Sequence, residues 1–353
     1  MSPSPVGDTV ATTFAGRILL RDRVVDGFVE VEGGRVVASG EGESPAKPTA
    51  RGWIVPSPVN AHTHVGDAFL RDRKDKPANV KELVGPGGWK HRNLAAAAPD
   101  EVRAGIRRYA GEMAAVGTRG FLDFREGGLE GIRLLRGLAK ELPIPAVAFG
   151  RPKAYGFEER EAEALLAEAD GIGLSGVRDF KAADLEAWAE ACHDADKPLA
   201  LHASEDRGDD VEAVLALEPA FVIHMVQASD EELEELAQAK VPVAVAPRSN
   251  AFFGYRTPVD RMLAAGCTVA VGTDNGMLND GNLLKDLAQL RAWHSRIPLE
   301  ELLRMATFAP RAMLDEPAPG MPKPGQPADL VVLPEEPLPP VGQGKPSLGV
   351  RVA

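Results

Sequence analysis

The feature that most constrains the fold is a regular alternation of short apolar segments with segments of helical periodicity, from about residue 59 to residue 314. Continuous apolar runs are typical of strands in a parallel sheet that is covered on both faces. There are eight such runs: the segment that leads into His62, and residues 119–124, 143–149, 171–176, 198–203, 220–226, 241–246 and 267–272. Eight consecutive βα units predict an α/β fold, a (β/α)8 barrel of the TIM type.

Helical periodicity fills the intervals between these strands. It is clear at residues 182–195, 230–238 and 259–265, and again after the last strand at residues 283–295, 299–307 and 309–314. An open doubly wound sheet is the alternative fold for the same alternation. Such sheets often carry a GxGxxG turn after the first strand, and the absence of that motif after the first strand of this sequence favours the barrel.

Both ends of the chain add short strands outside this alternation. The runs are residues 14–20, 27–32 and 35–38, separated by glycine turns, and residues 328–333 near the other end. We therefore expect residues 1–55 and 325–353 to form one small β-sandwich domain, and residues 56–324 to form the barrel. The Pro/Gly-rich tail from residue 334 onward is expected to be irregular.

Composition limits the partners and the compartment. The net charge of −12 and the pI near 5.2 argue against a nucleic-acid surface and against an anionic membrane. The two cysteines, Cys192 and Cys267, are far apart and fit a reducing compartment. The first residues are polar without an apolar signal region, and no apolar run is long enough to span a membrane. We expect a cytoplasmic protein with a small-molecule substrate; a homodimer is only the base-rate expectation.

Histidines collect where a barrel enzyme carries its chemistry, at the C-terminal ends of the strands. His62 and His64 are two residues apart and would project to the same side of an extended strand. His202 ends the fifth strand, His224 the sixth, and Asp274 the eighth. Each residue alone has a structural explanation, as a satisfied buried histidine or a turn aspartate. Together they predict a metal site.

Several motifs give the chain a resemblance to a known family. Ala61-His62-Thr63-His64, His202-Ala203-Ser204-Glu205, His224, Pro247-Arg248-Ser249-Asn250 and Gly272-Thr273-Asp274 resemble those of the amidohydrolase superfamily. They are most similar to the branch of aminohydrolases and chlorohydrolases that acts on nucleobases, nucleosides and triazines. The resemblance implies a barrel with a small β-sandwich made from both termini, in agreement with the strand pattern.

The resemblance also implies a ligand set. His62, His64, His202 and Asp274 would bind one divalent metal, Zn²⁺ or Fe²⁺. That metal would lower the pKa of a water molecule from ~16 to about 7, and Asp274 could accept the proton. A second metal would require a carbamylated lysine at the end of strand four. The nearest lysine, Lys181, is expected to begin the next helix, so we expect one metal.

Two further residues receive catalytic roles from the resemblance. Glu205 would be the general acid/base that protonates a ring nitrogen and then carries a proton to the leaving group. The alternative for Glu205 is a solvated loop charge, since Asp206 and Arg207 follow it. His224 would hydrogen-bond the attacking water or the developing oxyanion.

Candidate substrate-binding residues lie in two other segments. Ser249 and Asn250 follow the seventh strand and could contact substrate or cap a turn. Lys90, His91 and Arg92 lie in a connection whose glycines and proline argue against regular structure. They would form a basic patch for a carboxylate or phosphate, or a solvated surface loop. Further rim candidates at strand ends are Arg125, Glu126 and Arg151.

The sequence therefore predicts a metal-dependent hydrolase of a C–N bond that deaminates an amino-substituted heterocycle. Hydrolysis of a cyclic amide and displacement of chloride would use the same residues and remain alternatives. A barrel without catalytic activity, kept as a binding protein, is the third hypothesis; the acid/base Glu205 argues against it.

Overall fold

The computed structural model describes residues 11–338, 340–341 and 350–352. In this part of the chain the strands are β1 (Thr12–Leu19), β2 (Val24–Glu32), β3 (Arg35–Glu41), β4 (Ala50–Pro56), β5 (Val59–His64), β6 (Gly120–Arg125), β7 (Ala146–Gly150), β8 (Gly171–Gly176), β9 (Leu199–Ala203), β10 (Phe221–His224), β11 (Val243–Val245), β12 (Val269–Val271), β13 (Asp274–Asn275), β14 (Leu330–Leu333) and β15 (Val350–Val352).

The helices complete the alternation. They are α1 (Val80–Leu83), α2 (Trp89–Ala96), α3 (Pro99–Ala115), α4 (Gly128–Gly137), α5 (Glu159–Glu168), α6 (Ala182–Asp194), α7 (Val211–Leu215), α8 (Asp230–Gln238), α9 (Pro247–Phe252), α10 (Val259–Ala265), α11 (Leu283–Trp293), α12 (Leu299–Thr307) and α13 (Ala309–Ala312). Two 3₁₀ turns, Val65–Leu70 and Val177–Asp179, follow β5 and β8. Among the described residues, no helix combines the length and hydropathy of a membrane span.

Nine strands form the central sheet, in the order β12-β11-β10-β9-β8-β7-β6-β5-β13, and all pairings are parallel. The two outermost members of this order, β12 and β13, are separated in the chain only by Gly272 and Thr273. Because β13 pairs with β5, with Asp274 opposite Thr63, the sheet closes on itself. The eight predicted strands are confirmed, and the open-sheet alternative is wrong.

Closure depends on a glycine at the junction of the last strand and the first. A Cβ atom on Gly272 would lie 2.6 Å from both the backbone nitrogen and the backbone oxygen of His62. Only a residue without a side chain allows β12 to approach β5 so closely. Inside the ring, apolar side chains fill the barrel, among them Leu122, Phe124 and Phe149.

Strands from both ends of the chain share a second, six-stranded sheet, in the order β15-β14-β4-β1-β2-β3. Its apolar face includes Phe14, Ile18 and Ile54. The shared sheet confirms that both termini contribute to one β-structure, whereas the exact division into residues 1–55 plus 325–353 and 56–324 stays a prediction. The expectation of an irregular tail is wrong at β15, which pairs with β14. Residues 1–10, 339, 342–349 and 353 lie outside the described part, including the predicted polar N-terminus.

The histidine pair occupies a strand of its own. The segment that leads into His62 is divided between two strands, since β4 belongs to the terminal sheet and β5 to the barrel. The chain leaves one sheet and enters the other at Ser57 and Pro58. Proline has no backbone N–H to donate to a ladder, which is consistent with a break there.

Local sequence explains where several helices begin. Ser229 caps α8: its hydroxyl accepts from the backbone N–H of Glu232, whose carboxylate accepts from the N–H of Ser229. The predicted bounds of α8, α10 and α12 match the structure. Lys181 immediately precedes α6, as predicted.

The segment that carries Lys90 is helical, and the expectation of an irregular connection is wrong there. Its glycines and proline are confined to the turn between α1 and α2, where Gly87 has a positive φ. The helix α2 is held by Trp89, which is buried against Leu70, Leu83 and Met277. This tertiary packing outweighs the local turn signal.

Candidate metal centre

Four histidines and one aspartate from different strands meet at the C-terminal mouth of the barrel. The ring centroid of His62 lies 4.9 Å from that of His64 and 5.0 Å from that of His202, and the rings of His202 and His224 are 5.4 Å apart. Nitrogen and oxygen atoms of His62, His64 and Asp274 lie close enough to one another to bind one metal ion, and those of His62, His202 and His224 do so as well. The predicted residues are thus brought together.

Polar atoms without partners show that this cluster fits a cation. Both ring nitrogens of His62 and Oδ2 of Asp274 are buried without a hydrogen-bond partner among the described residues. Nε2 of His62 lies 3.4 Å from Oδ1 of Asp274, outside hydrogen-bond geometry. Buried polar atoms left unpaired are costly, and a cation bound between these atoms removes that cost. Three imidazoles and one carboxylate suit a divalent transition metal.

Two of the histidines are fixed in the tautomer that metal binding requires. Nδ1 of His64 lies 3.0 Å from the carbonyl oxygen of Phe124, and Nδ1 of His202 lies 2.9 Å from that of Leu174. A carbonyl oxygen only accepts, so each Nδ1 carries the proton and each Nε2 is left for the metal. Burial lowers the pKa of His64 to about 3 and that of His202 well below its usual value, so both rings are neutral.

Asp274 is held as a carboxylate. Burial opposes its ionisation, but the neighbouring imidazoles, His62 first among them, hold its pKa well below the usual value. The side-chain amide of Asn275 donates to its Oδ1 at 2.8 Å. Asp274 has a φ of 58° and His224 one of 78°, both in the left-handed region that residues with side chains avoid. Strained backbone of this kind clusters at functional sites, where the surrounding structure enforces it.

Glu205 faces the same cavity from the end of β9. Its side chain is 20% exposed, and its Oε1 lies 3.6 Å from Nε2 of His224. Burial raises the pKa of Glu205 above the usual carboxylic acid value. The turn that carries it is fixed by Asp209, whose carboxylate accepts from the N–H of Ser204 at 2.5 Å and whose own N–H donates to the Ser204 hydroxyl. The solvated-loop alternative for Glu205 therefore does not describe its position.

The orientation of His224 is set by a contact to its Nδ1 atom. The Asn250 side-chain amide faces Nδ1 of His224 at 3.4 Å, and the hydroxyl of Thr257 donates to the Asn250 carbonyl oxygen at 2.9 Å. Because this arrangement turns the Asn250 NH₂ group toward Nδ1, that nitrogen accepts, and Nε2 carries a proton. His224 therefore presents a hydrogen-bond donor to Glu205 and to the cavity.

Two adjoining cavities open beside these residues. The first, about 420 Å³, is lined by His64, His202, His224, Glu205 and Asp274 together with Lys90 and Asn275. The second, about 650 Å³, lies beside it and is more apolar, with Leu94, Leu134 and Phe180 in its wall. Arg151, Tyr155 and Ser175 line both cavities. The metal cluster is thus reached from a cleft formed by two neighbouring cavities.

The structure places the predicted substrate-binding residues in different environments. Lys90 is 2% exposed, although it lines the first cavity, and His91 lines the second. Arg92 is exposed on α2 and donates to the carbonyl of Gly87. Ser249 and Asn250 are fully buried on α9. Lys90, His91 and Arg92 therefore do not share one environment, and a role for each residue with the substrate stays a prediction.

Sequence reasoning missed the partners of the ligands. Glu126, noted only as a rim candidate, has its Oε1 2.7 Å from Nδ1 of His64. The signal for Glu126 was available, since it directly follows β6, the neighbour of the histidine strand. Lys181, the lysine considered for a second metal, is exposed and immediately precedes α6, and the single metal stays a prediction.

Comparison with known proteins supports the same reading. The Amidohydrolase family matches residues 53–351. A putative aminohydrolase of Archaeoglobus fulgidus is 35% identical over 235 residues, 66% of this chain and 67% of that protein. A 5-methylthioadenosine/S-adenosylhomocysteine deaminase of Nitratidesulfovibrio vulgaris is 27% identical over 358 residues, 89% of this chain and 80% of its own.

A solved structure extends the likeness to the fold. The atrazine chlorohydrolase from Arthrobacter aurescens TC1, complexed with zinc, superposes with a TM-score of 0.67 at 22% identity, covering 95% of this chain and 89% of that one. The resemblance found in the sequence is confirmed, and so is the barrel. Since the family match spans most of the chain and the buried histidine–aspartate cluster fits a divalent metal, the chain belongs to the amidohydrolase family and is a metal-dependent hydrolase of C–N bonds.

Proposed function

We propose that this enzyme hydrolytically deaminates an amino-substituted heterocycle, a nucleobase or a nucleoside-like molecule, with zinc as its metal. One observation carries the proposal: Glu205 faces the cavity beside His224 and the metal cluster, and burial raises its pKa. Deamination of a ring requires an acid that protonates a ring nitrogen and later the leaving amine. A hydrolysis that did not require this proton transfer would not need a carboxylic acid with a raised pKa beside the metal cluster.

The ligands of the metal would be His62, His64, His202 and Asp274. A divalent ion bound there supplies Lewis acidity and lowers the pKa of water to about 7. Asp274, held ionised, accepts a proton from the attacking water. Glu205 gives its proton to the ring nitrogen and passes a proton to the amino group, so that water and the amino-heterocycle become the oxo-heterocycle and ammonia. His224 stabilises the oxygen through its Nε2–H.

The likeness to named relatives supports the substrate class. The Nitratidesulfovibrio relative is named as a deaminase of adenosine derivatives, and the Archaeoglobus relative as a putative aminohydrolase. The two adjoining cavities offer space for a ring and a substituent. Within this cleft we assign substrate contact to His91 in the second cavity. Lys90 lines the first cavity but is almost fully buried, and Arg92, Ser249 and Asn250 would act from further away.

The test is a substrate panel with the zinc-loaded protein. Adenine, adenosine, 5-methylthioadenosine, S-adenosylhomocysteine and guanine are compared with a hydantoin and a chlorotriazine, and ammonia, ring-opened product and chloride are measured separately. We expect ammonia from at least one amino-heterocycle, absent in the Glu205→Gln variant. Ring opening or chloride release alone would replace deamination with one of the alternative reactions. Inactivity of zinc-loaded and iron-loaded protein on the whole panel would favour a binding barrel.

A further inference from the structure

Lys90 lies in the interior of the protein, which is unusual for an ammonium group. Its side chain is 2% exposed, and its Nζ lies 2.5 Å from Oε1 of Glu126, 2.9 Å from Oδ1 of Asn275 and 3.5 Å from Oδ2 of Asp67. Lysine has three N–H donors and no acceptor. One hydrogen bond to Asn275 and two ion pairs, with Glu126 and Asp67, therefore hold the ammonium group, and these partners come from three separate segments at the mouth of the barrel.

The contact between Lys90 and Asn275 connects Lys90 with Asp274. Because an ammonium group can only donate, Asn275 must turn its Oδ1 toward Lys90. Its NH₂ group then points the other way, and Nδ2 donates to Oδ1 of Asp274 at 2.8 Å. The Asp274 Oδ2 atom is left without a partner among the described residues. Lys90 thus fixes which way the Asn275 amide faces, and the amide in turn fixes the Asp274 carboxylate.

The contact between Lys90 and Glu126 connects Lys90 with His64. The Oε1 atom of Glu126 that meets Lys90 also lies 2.7 Å from Nδ1 of His64. Nδ1 of His64 donates to the carbonyl oxygen of Phe124, and the Glu126 carboxylate lies against the same nitrogen, where a carboxylate behind a ligating imidazole holds the ring in place. Arg151 and Arg125 are more distant from the Glu126 carboxylate, at 3.6 Å and 3.8 Å, so Lys90 is its nearest cation. Lys90 therefore reaches two metal ligands on two strands through one intermediate residue each.

We infer that Lys90 is a positioning residue of the metal centre, which sets the orientation of His64 through Glu126 and that of Asp274 through Asn275. Since Lys90 belongs to α2, the connection between β5 and β6 is a structural part of the metal site. The inference goes beyond the proposed function, because it concerns how the ion is held and applies whatever the substrate is. It differs from the substrate contact that the sequence suggested for Lys90.

The test is the rate at which the protein releases zinc. Zinc-loaded parent and Lys90→Met protein are mixed with the chromogenic chelator 4-(2-pyridylazo)resorcinol, and zinc transfer is followed over time. Loss of partners behind the ligands typically weakens metal binding about 10- to 100-fold. We expect K90M to release zinc at least about tenfold faster. The visible spectrum of the Co²⁺-substituted protein, which reports ligand geometry, should change as well.

Lys197→Met is the matched control. Lys197 is half-buried and donates to the carbonyl of Ala169 at 2.7 Å, at the opposite end of the barrel strands. It should release zinc at the parent rate with an unchanged Co²⁺ spectrum. A K90M protein that keeps zinc within twofold of the parent and an unchanged Co²⁺ spectrum overturns the inference, even if its KM for a substrate rises.

A second variant keeps the inference testable if the K90M protein does not fold. Asn275→Leu removes the amide between Lys90 and Asp274 and leaves the Lys90–Glu126 ion pair in place. If K90M does not fold, faster zinc release from N275L supports the inference, and release at the parent rate overturns it. Because neither readout requires a substrate, a failure here is distinct from a failure of the proposed deamination.

Discussion

The buried carboxyl group of Asp123 gives a stability prediction whose size follows from its surroundings. Asp123 is fully buried on β6; its Oδ1 accepts from the Val65 N–H at 2.7 Å and from the Thr63 hydroxyl at 3.0 Å. Its Oδ2 has no hydrogen-bond partner within the described ranges. Burial raises the pKa of Asp123 from 3.8 to about 6, against the opposing effect of Arg125. The ionised form is therefore disfavoured in the folded protein.

The sign of the pH dependence follows from this shift. Between pH 4 and pH 6 the folded state holds a proton that the unfolded state has lost, so stability falls as the pH rises through this interval. Above the folded-state pKa of about 6, ionised Asp123 lowers the stability of the folded protein by the full amount. A pKa shift of about two units corresponds to a destabilisation of about 3 kcal/mol, which is an upper limit. Asp123→Asn keeps the acceptor for Val65 and Thr63 and removes the charge.

We therefore expect Asp123→Asn to be more stable than the parent by about 1–3 kcal/mol at pH 7.5, with most of the gain absent at pH 4.5. Urea unfolding of chelator-treated protein at both pH values measures the difference without a contribution from metal loss. An equal change at the two pH values, or a loss of stability at pH 7.5, would refute the reasoning.

Two other predictions concern the closure of the barrel and the acid/base group. Gly272→Ala places a Cβ atom 2.6 Å from the backbone of His62, so it should cost about 3 kcal/mol or more in urea unfolding, whereas Gly320→Ala, in open space, should be neutral. An equal effect of both would contradict the close-approach argument. Glu205→Gln should retain zinc by elemental analysis and lose about 10²- to 10⁴-fold in kcat; turnover within a few-fold of the parent would remove Glu205 from the mechanism.

Much of the fold was readable from local patterns because the barrel repeats one simple unit. Eight apolar runs identify the strands, and helical periodicity at residues 230–238 gives the bounds of α8. Strand ends then locate His202, His224 and Asp274, since all parallel strands of a barrel end at the same face. These inferences require only periodicity and the geometry of a closed parallel sheet.

The environment of Lys90 was not readable in the same way. Its partners Asp67, Glu126 and Asn275 are between 23 and 185 positions away in the chain and meet only after the barrel closes. Local signals around it, a run of glycines and a proline, predicted a loop. The burial of Trp89 in a cluster drawn from distant segments decides in favour of a helix. Long-range packing of this kind leaves no periodic trace in the sequence.

The central claim is that four residues from three strands bind one ion, and anomalous diffraction at the zinc edge from crystals of the zinc-loaded protein tests it most directly. The account predicts a single strong peak within about 2.0–2.3 Å of a nitrogen of His62, His64 and His202 and of an oxygen of Asp274. A peak that lacks His202 or Asp274 among its neighbours, or a second strong peak in the same cavity, would contradict it.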